Sequence, residues 1–270
     1  MFMDTSSGTL YYEMAGQGET VVLAHAGFVD CRMWDEQWQT FTQHYRVIRY
    51  DMQGFGLSDP ATGPVSRRDE LYGLLRSLNV ERAHLIGCSM GGSAALDLTL
   101  AHPELVASLT LVSSVPGGFE YRGEPPGQLM EMIEAIQRGD KSRASELQLR
   151  LWMDGPFRKP EQVDPDIRRR TAVMNRIPVD NETWLRADSR PVDPLDPPAA
   201  MRLAEIHVPV LVMAGALDDP EVVRAADYIA TSIPGTSKVI IPDAAHVPNM
   251  EKPEEFNRTV MEFLASLCDR

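Results

Sequence analysis

Gly87-Cys88-Ser89-Met90-Gly91 has the spacing G-x-S-x-G, set between the apolar run Ala83-His84-Leu85-Ile86 and the helix-like stretch Gly92-Ser93-Ala94-Ala95-Leu96. That setting suits a nucleophile. A strand turning sharply into a helix strains its central residue, and side chains two positions to either side would collide, which calls for glycine there. The turn lifts the Ser89 hydroxyl into a pocket and aims N–H groups of the new helix, that of Met90 above all, at a developing oxyanion. The motif is short enough to recur as an ordinary glycine-rich loop, so its partners decide.

A serine hydroxyl needs a histidine as general base and a carboxylate to hold that histidine's tautomer. Of the 6 histidines, His246 lies in Asp243-Ala244-Ala245-His246, just past the strand-like run ending at Ile241. Loops beyond the carboxyl ends of strands are where open α/β sheets keep reactive groups. His44 and His102 stand at helix ends, His207 precedes a strand, and His84 opens the run to Ser89 at its far end. For the acid, Asp218 follows the run from Val210 to Ala214, with Asp219 as its close rival. His25-Ala26-Gly27-Phe28 follows another strand-like run, Val21 to Ala24, and the Gly27 N–H is assigned as the second oxyanion donor beside Met90. His25 reads as structural, bonding loop backbone. Cys88 occupies an x position of the motif and reads as a small core residue. Phe28, Trp34, Met90, Trp152 and Trp184 are candidate pocket linings, because such sites are mainly apolar; core packing competes for each.

The elements that must carry these residues alternate. Thr9 to Glu13 and Thr20 to Ala24, joined by Gly16-Gln17-Gly18, predict an antiparallel opening hairpin. Strands are then expected at Tyr45 to Tyr50, Ala83 to Cys88, Leu109 to Val112, Val208 to Met213 and Lys238 to Ile241. Helical spacing of apolar residues marks Met33 to Thr40, Arg67 to Leu78, Gly92 to His102, Glu221 to Ile233 and Pro253 to Leu267. This order implies βαβ units and a covered parallel sheet, an α/β fold. The alternation lapses between Pro116 and Pro198, a polar, mostly helical stretch closing on the stiff Pro191 to Pro198. It reads as an inserted lid, with the core formed by residues 1–115 and 199–270 and the insertion by 116–198.

Composition narrows the function classes. At 270 residues, 43% hydrophobic and 24% charged, the chain can bury a full core. Lys and Arg number 26 against 39 Asp and Glu, a net charge of −13 that repels phosphate backbones and anionic membrane surfaces. A small-molecule substrate is therefore expected, with no nucleic-acid or membrane partner. The first residues have no basic and apolar leader pattern, and no stretch reads as a membrane span, so a cytoplasmic location is expected. Cys31, Cys88 and Cys268 are widely spaced, which suggests neither a disulfide framework nor a metal site.

Taken together these residues resemble the α/β-hydrolase superfamily, in its compact esterase, enol-lactonase and haloperoxidase-like branch with a helical cap. The resemblance rests on His25-Ala26-Gly27, Arg32-Met33-Trp34, Tyr50 to Ser58, Gly87 to Gly92, Gly215 to Asp218 and Asp243 to His246, and it covers most of the chain. The order Ser89, Asp218, His246 is the order of that superfamily's triads. It implies a mainly parallel eight-stranded sheet flanked by helices, and cofactor-free, metal-free acyl transfer to water. Ser89 would be the nucleophile, His246 the base and acid, Asp218 its orienter, and the Gly27 and Met90 N–H groups the oxyanion hole. Two positions depart from the pattern: Ala26 replaces the usual glycine and Gln53 the usual arginine. Serine rather than aspartate at the elbow excludes dehalogenase and epoxide hydrolase chemistry. Three functions follow as expectations. The first is hydrolysis of a small to medium, largely apolar ester or lactone. The others are C–C bond hydrolysis of a vinylogous ketone with the same triad, and a ligand receptor with little turnover.

Overall fold

A computed structural model describes residues 1–5 and 8–268 of the chain. Its strands are β1 (Phe2–Thr5), β2 (Gly8–Ala15), β3 (Thr20–Ala24), β4 (Arg46–Tyr50), β5 (Ala83–Cys88), β6 (Val106–Val112), β7 (Val210–Gly215) and β8 (Ser237–Ile241). Among the described residues they form one 8-stranded sheet in the order β1-β2-β4-β3-β5-β6-β7-β8. The β1–β2 and β2–β4 pairings are antiparallel, and every pairing from β4 to β8 is parallel. The sheet is thus mainly parallel, as expected.

The opening hairpin is a correction. β2 pairs with β1 and β4, and β4 lies between it and β3, so the glycine turn at 16–18 leads to a strand in the sheet's interior rather than to a neighbour. Every residue of β3 is buried. A strand covered on both faces reads as a continuous apolar run, and Val21-Val22-Leu23-Ala24 has that character. β1 was not anticipated; it is a short edge strand with alternating exposure.

Helices cover both faces. Before the insertion come α1 (Asp35–Phe41), α2 (Arg67–Ser77) and α3 (Met90–Ala101). Between β6 and β7 lie α4 (Gly127–Gln137), α5 (Lys141–Gln148) and α6 (Pro165–Asp180), and after β7 come α7 (Pro220–Ser232), α8 (Pro248–Glu251) and α9 (Pro253–Cys268). Successive strand residues point to opposite faces. On one face Val22, Ile48, Leu85 and Val212 meet Leu71 and Leu74 of α2 and Leu96 of α3. On the other, Val21, Val47, Ile86 and Met213 meet Phe41 of α1 and Phe256, Val260 and Leu264 of α9. Each such side chain contributes about 1.5–3 kcal/mol on burial. Cys31 and Cys88 are buried free thiols, and the Cys268 side chain lies outside the described residues. No described helix is long and apolar enough to cross a membrane.

The inserted helices are fastened to the core at two places. Between α5 and α6, Arg158 donates to Glu251 of α8 at 2.6 Å and to the Asp154 and Met153 carbonyls. At the exit, Arg67 of α2 grips Asp188 through two N–H groups at 2.9 and 3.1 Å, and both side chains are 9% exposed. Asn181 and Thr183 donate to the Gly54 carbonyl at 3.0 and 2.7 Å. An arginine held bidentately and out of water loses more on truncation than a surface pair would.

Candidate active site

Ser89 stands between β5 and α3 with φ 51° and ψ −116°, a backbone conformation that L residues adopt at a cost of about 1–3 kcal/mol. Its own N–H donates to the Val112 carbonyl at 2.8 Å, and the Gly91 N–H donates to the His25 carbonyl at 3.1 Å. The surrounding backbone enforces the turn. A side chain on Gly91 would strike the carbonyls of Ala24 and His25, and one on Gly87 would strike the backbone of Gly91 and Gly92. Met90 is the first residue of α3, where an N–H has no intrahelical acceptor. Neither its N–H nor that of Gly27 has an acceptor among the described residues. The Met90 side chain packs over Gly27, since a Cβ at Gly27 would lie 2.6 Å from the Met90 methyl carbon.

His246 follows β8 in a loop packed against the β7 loop. Its Nδ1 lies 3.0 and 2.9 Å from the two oxygens of Asp218, and the two residues are 3% and 1% exposed. The neutral ring therefore donates from Nδ1 and keeps its lone pair on Nε2. That Nε2 is buried and has no hydrogen-bond partner among the described residues, so no Ser89–His246 hydrogen bond is formed. Such bonds are often long without substrate. Asp219 does something else: its carboxylate accepts the Glu221 N–H at 2.8 Å and caps α7.

Two contacts brace the His246 loop. The Cys88 thiol donates to the His246 carbonyl at 3.6 Å, and Glu251 accepts the Ala245 N–H at 2.7 Å. Burial pushes the Cys88 thiol well above its usual range, so it stays protonated and packs as a core residue. His25 is fully buried; Nδ1 donates to the Ala26 carbonyl at 2.8 Å and Nε2 accepts the Met52 N–H at 2.9 Å. Burial lowers its pKa, and both nitrogens are committed to loop backbone.

Beside Gly27 a narrow cavity of roughly 50 Å³ opens under the inserted helices, lined by Phe55, Gln148, Trp152, Thr183 and Trp184 among others. Phe28 stands 6.2 Å from the His246 ring and 5.4 Å from that of Trp152, measured between centroids. Trp34 is elsewhere: it is wholly buried in the core against Phe256 of α9, at 6.1 Å, which corrects its assignment to the pocket. Trp34 closes the 3-10 turn Cys31–Trp34, which turns its ring into the layer of α9.

The alpha/beta hydrolase family model matches residues 21–259. The chain belongs to this family. It is similar to a 2-hydroxy-6-oxononadienedioate/2-hydroxy-6-oxononatrienedioate hydrolase of Paraburkholderia xenovorans, 28% identical over 95% of this chain and 90% of that protein. It is equally similar to the pimeloyl-[acyl-carrier protein] methyl ester esterase of Pectobacterium atrosepticum, 28% identical over 94% and 98% of the two chains. The solved enol-lactonase of Burkholderia xenovorans shares the fold with a TM-score of 0.81 at 22% identity, over 98% of this chain and 100% of that one.

In this α/β-hydrolase the loop from Asp51 to Ser58 is held at Gln53 by the neighbouring helix α2. The guanidinium of Arg67 donates to the Gln53 carbonyl at 3.0 Å, and Glu70 accepts the Gln53 N–H at 3.0 Å. Asp51 holds the rest, accepting the Cys31 and Leu57 N–H groups at 2.8 Å each.

The hydrolase's insertion also reaches the loop of Gly27 through a residue that sequence reasoning passed over. Asn175 of α6 is fully buried; it donates to the Phe28 carbonyl at 3.0 Å and the Gln148 side chain at 2.7 Å, and accepts from Ser145 at 2.6 Å. A buried amide between two helices is spoken for by its surroundings alone, and nothing in its sequence neighbourhood announces it. Asn175→Ala is expected to cost about 2–3 kcal/mol in urea denaturation, because three polar groups lose a partner out of water.

Proposed function

We propose that the protein is a serine carboxylic-ester hydrolase for small to medium, largely apolar esters or lactones. The observation that carries this reading is His246, whose Nδ1 is committed to both oxygens of Asp218 while its Nε2 is buried and unpartnered. A histidine so held is a base waiting for one proton. Ser89 Oγ bonds to the ester carbonyl carbon as Nε2 takes its proton, and the oxyanion rests on the N–H groups of Gly27 and Met90. Collapse breaks the bond to the leaving oxygen, which collects the proton from Nε2. Water then gives a proton to Nε2 and attacks the acyl carbon, and Ser89 departs with that proton restored.

The cavity favours an uncharged acyl group. Among its lining residues the one cation is Lys141, whose amine donates to the Asp180 carbonyl at 2.8 Å, and Glu182 adds negative charge. A dienedioate, the substrate class in the name of the Paraburkholderia relative, would bring two carboxylates to a site whose lining carries one cation, Lys141, set against the acid Glu182. The methyl ester in the name of the Pectobacterium relative suits it better.

A panel of 4-nitrophenyl butyrate, a simple lactone and a vinylogous ketone, run on one preparation, tests the reading. Ester or lactone turnover is expected to exceed C–C cleavage by at least about 100-fold, the discrimination a site without the needed polar partner imposes. Preference for the ketone would establish the C–C hydrolase instead. Stoichiometric binding without turnover of any of the three would establish a receptor.

A further inference from the structure

We propose that Trp152 is the residue that sets acyl-chain length, by walling the cavity beside Gly27 off from a larger apolar groove; the proposal rests on the esterase reading. Trp152 lies in the widened helical turn Leu149–Asp154 that continues α5, a local irregularity that redirects side chains. Its indole lines two separate spaces. The inner one is the cavity of roughly 50 Å³ that includes Gly27, and the outer one is a groove of roughly 440 Å³ between α4 and α7. Pro125, Pro126, Leu129, Leu151 and Val222 give the groove an apolar floor, and Asp219 and Glu221 stand at its edge.

Size makes the wall decisive. An inner space of roughly 50 Å³ has room for a few water-sized groups, which suits a short acyl or alkoxy chain. The outer groove could take many methylenes, and Trp152, which lines both spaces, stands between it and the space beside Gly27. The indole is backed by Phe28 at 5.4 Å, and Phe28 in turn lies 6.2 Å from His246, so the barrier stands one ring away from the base. The groove's charges belong to acids: Glu221 is paired with Arg224, and its carboxyl is held down at about 2 by that guanidinium. Such an edge disfavours an anionic tail and leaves a neutral alkyl or aryl chain as the occupant that the floor would accept.

Trp152→Ala joins the two spaces. The ratio of kcat/KM for 4-nitrophenyl octanoate to that for the butyrate is expected to rise about tenfold or more, since each methylene accepted by an apolar pocket carries a factor of this order. Trp152→Phe keeps most of the wall and should give a small rise. Leu129→Trp added to Trp152→Ala refills the groove and should return the ratio toward that of the parent protein. Calorimetric titration with 1-octanol reads the same space without turnover, and tighter binding is expected in the alanine variant. An unchanged octanoate preference and unchanged octanol affinity in a cooperatively folding Trp152→Ala protein would overturn the proposal while leaving the esterase reading intact. Tighter octanol binding by a protein that turns over no ester would overturn the esterase reading, and the acyl-length role with it, and leave Trp152 only as a wall between two spaces.

Discussion

Ser89→Ala is expected to lower kcat for 4-nitrophenyl butyrate by roughly 10⁵- to 10⁶-fold, because losing the nucleophile removes the acyl-enzyme route and leaves only water attack near the oxyanion donors. Progress curves with enough enzyme to see a slow residual rate check it. The fold should survive, since alanine meets the same backbone conformation, φ 51°, at about the same cost. Ser89→Gly goes further. Glycine adopts positive φ without a steric penalty, so this inactive variant is expected to be more stable than the parent by about 1 kcal/mol in urea denaturation. Loss of activity with a gain of stability would locate the strain at the nucleophile. Near-parental turnover in Ser89→Ala would sink the assignment outright, as would fluorophosphonate labelling at any other residue.

Asp218→Asn carries the second large effect, a fall of about 10⁴-fold in kcat with little change in structure. Both carboxylate oxygens face His246 Nδ1, at 3.0 and 2.9 Å, and one of them also accepts the Asp219 N–H at 2.8 Å. An amide in that place can satisfy the backbone donor with its oxygen only by turning its NH₂ toward Nδ1. The imidazole then carries its proton on Nε2, where the Ser89 proton has to go. Loss of the negative charge also withdraws support from the imidazolium that forms in each step. Asp219→Asn is the comparison, because its carboxylate caps α7 through the Glu221 N–H. Asparagine caps nearly as well, so turnover there should stay within a few-fold. Equal losses at 218 and 219 would contradict the role given to Asp218.

The elbow and the two loops that face it were legible because each has a local cause. Glycines at 87 and 91 are demanded by carbonyls a few ångströms away, and Asp218 and His246 follow apolar runs whose ends mark one edge of a parallel sheet. Strand order was less accessible. The turn at Gly16 to Gly18 serves a strand that pairs next door and one that skips a place equally well, and β4 enters between β2 and β3 from elsewhere in the chain. Helix α6 was hidden by its composition. Pro165 opens it and Pro178 lies within it, and Arg168 and Arg170 are engaged by Asp154, Glu146, Asp35 and Glu36, so its polar face is held by partners remote in sequence. The same remoteness hid Asn175 and misplaced Trp34, whose environments are made by α5, α6 and α9 rather than by neighbours along the chain.

The double fastening of the insertion bears on how fast the protein can work. With Arg158 on Glu251 in its middle and Arg67 on Asp188 near its exit, the inserted segment is tied down where a swinging lid would have to lift. Whole-lid excursions run over microseconds to milliseconds and drag solvent with them, whereas a half-buried ring turning in place moves little water and takes far less time. Passage between the two spaces that share Trp152 would therefore be nearly indifferent to the viscosity of the medium.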